Sequence, residues 1–479
     1  MNDHKHIHLI GICGTAMASL AGMLKRRGFR VTGSDAAAYP PMSDFLRELN
    51  IPVAQPFDVK NLEPRPDLAV IGNAISRGNV ELEHVLDQRI PFCSLPQLLH
   101  DEFLRGKEVL VVAGTHGKTT TTSMLAWIFH SAGLDPSFLI GGIAENFGSS
   151  FHLGAGRHFI LEGDEYDTAF FDKSPKFLHY FPDAVILTSV EFDHADIYKD
   201  LDAVETAFKR LVNLIPRRGR IVAFGDDAGE AAENPSLERC LAKAFCPVER
   251  YGAGQRANWR VTDLRLEAGH TSWSVLRDEQ PWADFEFALA GEYNVWNATA
   301  AAALAASCHI PKEAIASALK TFKSVKRRLE VKAHVNGVTI IDDFAHHPTA
   351  IAGTLKALRA RYRGARLWVI LEPRSNTLRR RVLQSDLARS LALADEIVVA
   401  GVFRSEAIPE NERMQLPELA AEISREGKQA RLLPDADAIV QDVSPELQSG
   451  DVVAILSNGG FDGIYEKLPA RLRELTSGS

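Results

Sequence analysis

A chain of 479 residues is too long for one hydrophobic core and points to about three domains. Apolar residues at 46% and charged residues at 24% are ordinary for a globular chain, and no apolar run is long enough to span a bilayer. A net charge of −8 without a basic block argues against nucleic acid or an anionic membrane surface as partner, while leaving room for small anionic substrates. The five cysteines are scattered without a Cys-x-x-Cys pair, and the first ten residues are too polar for a signal peptide, so a reduced, cytoplasmic setting is expected.

The first segment opens with an apolar strand, His6 to Ile10, a turn through Gly11, Gly14 and Thr15, a helical pattern to Arg27, and a second strand ending in Ser34 and Asp35. This is a βαβ unit whose turn approximates a dinucleotide fingerprint, with Cys13 and Ala16 where the second and third glycines would stand. A helix N-terminus there can face a diphosphate, and Asp35 can accept from a sugar or base; a sheet-packing turn with no ligand is the alternative. A further strand ends in Asn73 and Ala74, and the open α/β unit closes near Gly106.

The strongest signal follows. Val109 to Ala113 is apolar on both faces, as suits the middle of a parallel sheet, and it runs into Gly114-Thr115-His116-Gly117-Lys118-Thr119-Thr120 and a helical pattern. Strand, phosphate loop and helix are expected, with Lys118 reaching the β/γ-phosphates of ATP and Thr119 a Mg²⁺. Val112 stands where the general form has its first glycine. Next comes a turn-rich stretch around Asn146 that can line a site. Two more apolar strands end in Glu162-Gly-Asp-Glu-Tyr-Asp167 and in Asp193-His194-Ala-Asp196. In an open parallel sheet all these strand ends share one edge, so Glu162 and His194 are expected to bind a divalent ion beside the phosphates. For Asp164, Glu165, Asp167 and Asp196, capping and solvated charge are as plausible as function.

Asn294 and Asn297 open an alanine-rich helix, where they can cap it or meet a base. The cluster Lys326-Arg327-Arg328 leads into a last doubly wound segment, whose strands end in polar groups that include Asp343, His346 and His347 as well as Arg374 and Arg404. That segment can close over a ligand, with Lys326 to Arg328 as hinge and source of cations. The two arginines are candidates for peptide carboxylates, against a surface or fold-supporting role.

Together these motifs resemble the Mur ligases, ATP-dependent amide-forming enzymes of peptidoglycan precursor synthesis, over essentially the whole length. The resemblance rests on Gly114 to Thr120, Glu162 to Asp167, Asp193-His194-x-Asp196, Gly291-x-x-Asn294-x-x-Asn297, Arg328 and Asp342-Asp343-Phe-Ala-His346-His347-Pro348. It implies an N-terminal Rossmann-like UDP-sugar domain at 1–106, a central P-loop ATP-binding domain at 107–324 and a C-terminal Rossmann-like domain at 325–479. Gly11 to Met17 and Gly33-Ser34-Asp35 are similar to members that take UDP-N-acetylmuramate. Glu162 to Asp167, Glu372 to Thr377 and Ser457 to Phe461 favour the branch that adds the murein tripeptide L-alanyl-γ-D-glutamyl-meso-diaminopimelate in recycling over the branch that adds L-alanine. The resemblance further implies that Asn294 and Asp343 hold base and ribose, and that Arg328 brings positive charge to the γ-phosphate. A folylpolyglutamate-type ligase and a non-catalytic nucleotide switch are the rival classes; oligomeric state stays open.

Overall fold

The computed structural model describes residues 5–38, 42–225 and 234–477. Three large sheets follow one another along the chain, and a two-stranded antiparallel ribbon, Asp167–Ala169 with Asp172–Pro175, stands apart from them. The first has five parallel strands in the order Val53–Ala54, Arg30–Ser34, His6–Ile10, Leu68–Ile71, Phe92–Ser94. Strand order reverses beside His6–Ile10, so the Gly11 turn and the Asn73 turn flank the switch point where such sheets take ligands.

The central sheet has ten strands. Its buried middle is parallel, with Ala184–Leu187, Glu108–Ala113 and His158–Gly163 adjacent and in level register: Ala113 pairs with both Leu187 and Gly163. Each is buried along nearly its whole length, which is why its sequence has no polar face. Level register brings three strand ends to one edge. At the far end an antiparallel meander, Trp259–Glu267, His270–Arg277 and Gln280–Phe287, extends the sheet with one face exposed. Helix Lys118–Ser131 lies beside helix Glu292–Ser307, whose buried alanines 298, 300–303 and 305 allow close approach to it.

The third sheet has six strands, parallel except for Glu330–Val335 at one edge. Its connection to the central domain is unusual in backbone. Ser324, Arg327 and Leu329 all have positive φ (108°, 64° and 50°), a costly region for residues with side chains. Contacts fix it: Lys326 N donates to Ile143 O at 3.0 Å, and Arg327 binds Asp342, Ser457 O, Gly459 O and the Tyr465 hydroxyl. Among the described residues no helix is long and apolar enough to cross a membrane.

Candidate active site at the seam of the central and third domains

The phosphate loop is shaped by positions that exclude a side chain. Gly114 has φ +128°, and a Cβ there would collide with Thr188 and Ser189; at Gly117, φ +78°, a Cβ would lie 2.5 Å from Asn297 Oδ1. Helix Lys118–Ser131 therefore begins directly at the loop, with no side chain capping its first amides. Those free N–H groups and the helix dipole suit a polyphosphate.

Side chains from the three level strand ends converge in front of the loop. Thr119 Oγ1 donates to Glu162 Oε1 at 2.9 Å, and Glu162 Oε2 accepts from Gly141 N at 2.8 Å. Burial pushes the Glu162 carboxyl above the usual range, and Lys118, the Gly141 amide and Thr119 offset that only in part. Hydroxyl and carboxylate oxygens short of positive charge make a donor set that fits Mg²⁺. A second group stands beside it. Lys118 Nζ lies 2.9 Å from Glu165 Oε2 and donates to Gly114 O at 2.7 Å, while His194 Nε2 lies 3.2 Å from Glu165 Oε1. Burial opposes both cations, but the surrounding carboxylates, Glu165 foremost, outweigh it and raise the pKa of Lys118 and of His194.

Glu165 is the residue that sequence reasoning left undecided. It is nearly buried and joins Lys118 to His194, while Tyr198 donates to its backbone carbonyl at 2.6 Å. Nothing in Glu162-Gly-Asp-Glu-Tyr-Asp167 alone tells which acid turns inward.

The third domain completes the arrangement. Arg328 Nη2 reaches Thr119 Oγ1 at 3.4 Å. Asn294 and Arg328 line one cavity of about 600 Å³, with Lys320 to Ser324 and Leu329 to Val331 around them. Arg374 and Arg404 line another, of about 290 Å³, together with Tyr166, His194, Asn376 and Arg379. Both arginines lie over the Phe403 ring, at 3.8 and 5.2 Å. Asn376 donates to the Tyr166 hydroxyl at 2.8 Å and to Asp196 Oδ2 at 2.7 Å, and Thr377 donates to Asp193 at 2.5 Å, so these bonds cross between domains.

Three of the expected residues spend their polar atoms on protein. The Asn146 amide donates to Thr321 O and accepts from Lys323 N, pinning one turn to the chain before the hinge. Asp343 is buried and spends both oxygens on Leu329 N, Ala345 N and the Thr354 hydroxyl. It holds the turn that carries Arg328. Ser34 is fully buried and donates to Glu81, beneath the first glycine turn rather than on it.

The remaining residues of the first domain stay at the sheet edge. Gly14, Thr15 and Ala74 are exposed, with Gly11 and Asn73 partly so. Asp35 Oδ2 accepts from Cys13 N at 2.8 Å, binding the second strand's end to the turn.

Family comparisons match every part of this arrangement. Residues 6–105 match the "Mur ligase family, catalytic domain", residues 112–305 the "Mur ligase middle domain", and residues 327–459 the "Mur ligase, glutamate ligase domain". The chain is 43% identical to the UDP-N-acetylmuramate–L-alanyl-γ-D-glutamyl-meso-2,6-diaminoheptandioate ligase of Escherichia coli K12, over 96% of this chain and 97% of the relative. Identity to the UDP-N-acetylmuramate–L-alanine ligase of Acidithiobacillus ferrooxidans is 32%, covering 97% of each. The crystal structure of a murein peptide ligase from Psychrobacter arcticus superposes with a TM-score of 0.74 at 37% identity, covering 98% of each chain.

Proposed function

This chain belongs to the Mur ligase family, as an ATP-dependent amide-forming ligase, and from that premise we propose that it joins L-alanyl-γ-D-glutamyl-meso-diaminopimelate to UDP-N-acetylmuramate. The observation that carries the acceptor is the 43% identity to the tripeptide ligase, against 32% to the L-alanine ligase over the same length. The reaction belongs to peptidoglycan recycling and takes place in the cytoplasm, a setting in keeping with five free cysteines.

The residues divide the work in two stages. In the first, the lactyl carboxylate of UDP-N-acetylmuramate attacks the γ-phosphorus of ATP, giving an acyl phosphate and ADP. Lys118 exchanges Glu165 for the β/γ-phosphates, the amides at the helix start from Gly117 to Thr120 cradle them within the Gly114 to Thr120 loop, and Arg328 adds charge from the third domain. Thr119 and Glu162 would hold one Mg²⁺ and His194 would contribute to a second, and these ions would supply charge neutralisation at the phosphate oxygens. In the second stage the peptide amine adds to the acyl carbon and phosphate leaves. Arg374 and Arg404 hold peptide carboxylates so that the amine faces that carbon, and Asn294 lines the pocket for the base. Gly11, Gly14, Thr15, Asp35, Asn73 and Ala74 form the edge that receives the UDP-sugar. Most of the catalysis is positioning and charge neutralisation.

The test is phosphate release from ATP and Mg²⁺ with UDP-N-acetylmuramate, comparing the tripeptide with L-alanine. Turnover with the tripeptide alone is expected. Turnover with L-alanine alone would overturn the acceptor, and no turnover with either would overturn the donor.

A further inference from the structure

The second stage of the proposed reaction has a proton to dispose of, and none of the residues above takes it. A peptide amino terminus has an ordinary pKa of about 7.7–8.0, so at pH 7 most of it arrives as ammonium, without a lone pair for the acyl carbon. His346 lines the same cavity as Arg374 and Arg404 and has no part in the steps above. Its tautomer is fixed by a neighbour. Nδ1 lies 2.9 Å from Phe344 O, a carbonyl that can only accept, so Nδ1 carries the proton and Nε2 the lone pair. Phe344 is held in turn: its N donates to Arg327 O at 2.9 Å, and its ring meets the imidazole edge-on. Among the described residues Nε2 has no hydrogen-bond donor; it faces Asp193 Oδ2 at 4.0 Å.

Two acceptors facing each other across that gap suit a donor with more than one proton, which an ammonium is. Asp193 Oδ1 is already spent on Thr377 Oγ1 and His194 N, which fixes the carboxylate and leaves Oδ2 for the ring. The other groups around the cavity are poor bases at neutral pH. Burial opposes the charge of Asp193, but His194, His346 and His347 with the Thr377 hydroxyl outweigh it and hold the carboxyl well below its usual range. Against burial, Glu165 keeps His194 protonated, and burial together with Asp196 keeps the proton on the Tyr166 phenol. Arg328 close by, and Arg374, Arg379 and Arg404 in the lining, are cations. Burial lowers the His346 pKa and Asp193 offsets this only in part, so its ring is neutral at pH 7.

Given the ligase reading above, on which this step rests, we propose that His346 Nε2 is the base that takes a proton from the incoming amine, with Asp193 as its counter-charge. The ammonium gives one proton to Nε2, which frees the nitrogen lone pair, and that pair forms the C–N bond to the acyl carbon. The C–O bond to the phosphate then breaks, its electron pair leaving with the phosphate, which takes the nitrogen's second surplus proton and departs as hydrogen phosphate. Asp193 Oδ2 offsets the charge of the imidazolium until His346 returns its proton to water.

The experiment compares two acceptors for the full chain with ATP, Mg²⁺ and UDP-N-acetylmuramate: the tripeptide, whose amine is mostly protonated at pH 7, and hydroxylamine, which is mostly free there and traps an acyl phosphate as hydroxamate. In His346→Gln, tripeptide ligation at pH 7 should fall about 100-fold relative to hydroxamate formation. That deficit should shrink toward pH 9, as the amine loses its proton to solvent, with KM for the tripeptide within about twofold of wild type. Imidazole in the buffer should restore part of the ligation by His346→Ala, which a residue needed only for packing would not show. Circular dichroism checks both folds, and should one variant not fold the other decides. An equal loss with both acceptors, or a deficit unchanged between pH 7 and pH 9, would overturn the proposal. A wild type that uses L-alanine in place of the tripeptide would overturn the acceptor alone, since that amine must lose the same proton and tests His346 in the same way.

Discussion

The chain builds a buried strand, a glycine turn and a helix at two ligand edges, and finishes them in opposite ways. At Gly11 to Thr15 the turn's amides go to protein: Gly11 and Ile12 donate to Ser34 O at 2.8 and 3.1 Å, and Cys13 to the Asp35 carboxylate. At Gly114 to Lys118 the Thr115 and His116 amides likewise go to protein, at Ser189, but the turn is crossed by an ammonium with three acids gathered around it. One edge carries a carboxylate where the other carries a cation. A helix N-terminus alone can seat a diphosphate whose charge stays constant. A phosphoryl group whose charge shifts during reaction needs a mobile counter-charge, and only the second edge supplies one.

Replacing that charge should have the largest effect. Lys118→Ala is expected to lower turnover on the order of 1000-fold or more with the circular dichroism spectrum unchanged, and an active variant would remove the distinction between the edges. Next, Gly117→Ala puts a Cβ 2.5 Å from Asn297 Oδ1. Displacing the loop by that much should cost about 100-fold in kcat/KM for ATP, measured at saturating UDP-N-acetylmuramate.

The scaffold beneath the first turn should respond in stability instead. Glu81 is fully buried and receives Ser34 Oγ, Asn61 Nδ2 and Asp58 N. Burial alone would raise its pKa, but hydrogen bonds from His8, Ser34 and Asn61 outweigh it and hold the carboxyl below its ordinary value. A depressed folded-state pKa contributes stability above the unfolded value, lost as pH falls below about 4.3. Glu81→Gln should therefore cost about 2 kcal/mol at pH 7 in urea unfolding, with the gap to wild type narrowing under acid.

Arg374→Ala, at the proposed peptide pocket, should raise KM for the tripeptide about tenfold while leaving KM for ATP alone. An unchanged peptide KM would remove Arg374 from the acceptor site. The smallest effect belongs to Gly11→Ala, whose Cβ would press on the flexible Ile75 side chain at 3.2 Å and touch Gly72 Cα at an ordinary 3.9 Å. Backbone strain of about 1 kcal/mol should raise KM for UDP-N-acetylmuramate by less than tenfold.

How much of this was legible in the sequence follows from what a linear pattern encodes. Glu108–Ala113 and its neighbours announced themselves because burial on both faces leaves unbroken apolar runs. The meander from Trp259 to Phe287 did not, since its exposed face interrupts the pattern with charge. Strand ends identified the shared edge, and so brought Lys118, Glu162 and His194 together. They do not say which way an individual side chain turns from that edge. Asn146, Asp343 and Ser34 each lie near the expected place and point into protein. Glu165 turns toward Lys118, 47 residues earlier in the chain, a partner only folding supplies.

The connection at Ser324 to Leu329 has a further consequence. Because Arg327 is fastened to Asp342 and the carbonyls of Ser457 and Gly459, the adjacent Arg328 must travel with the third domain. Swinging that domain outward takes Arg328 away from Thr119, so nucleotide held by an open molecule lacks one of its counter-charges. In the proposed mechanism this couples the two stages: Arg328 reaches the phosphates only while the domain proposed to carry the incoming amine is seated against the loop.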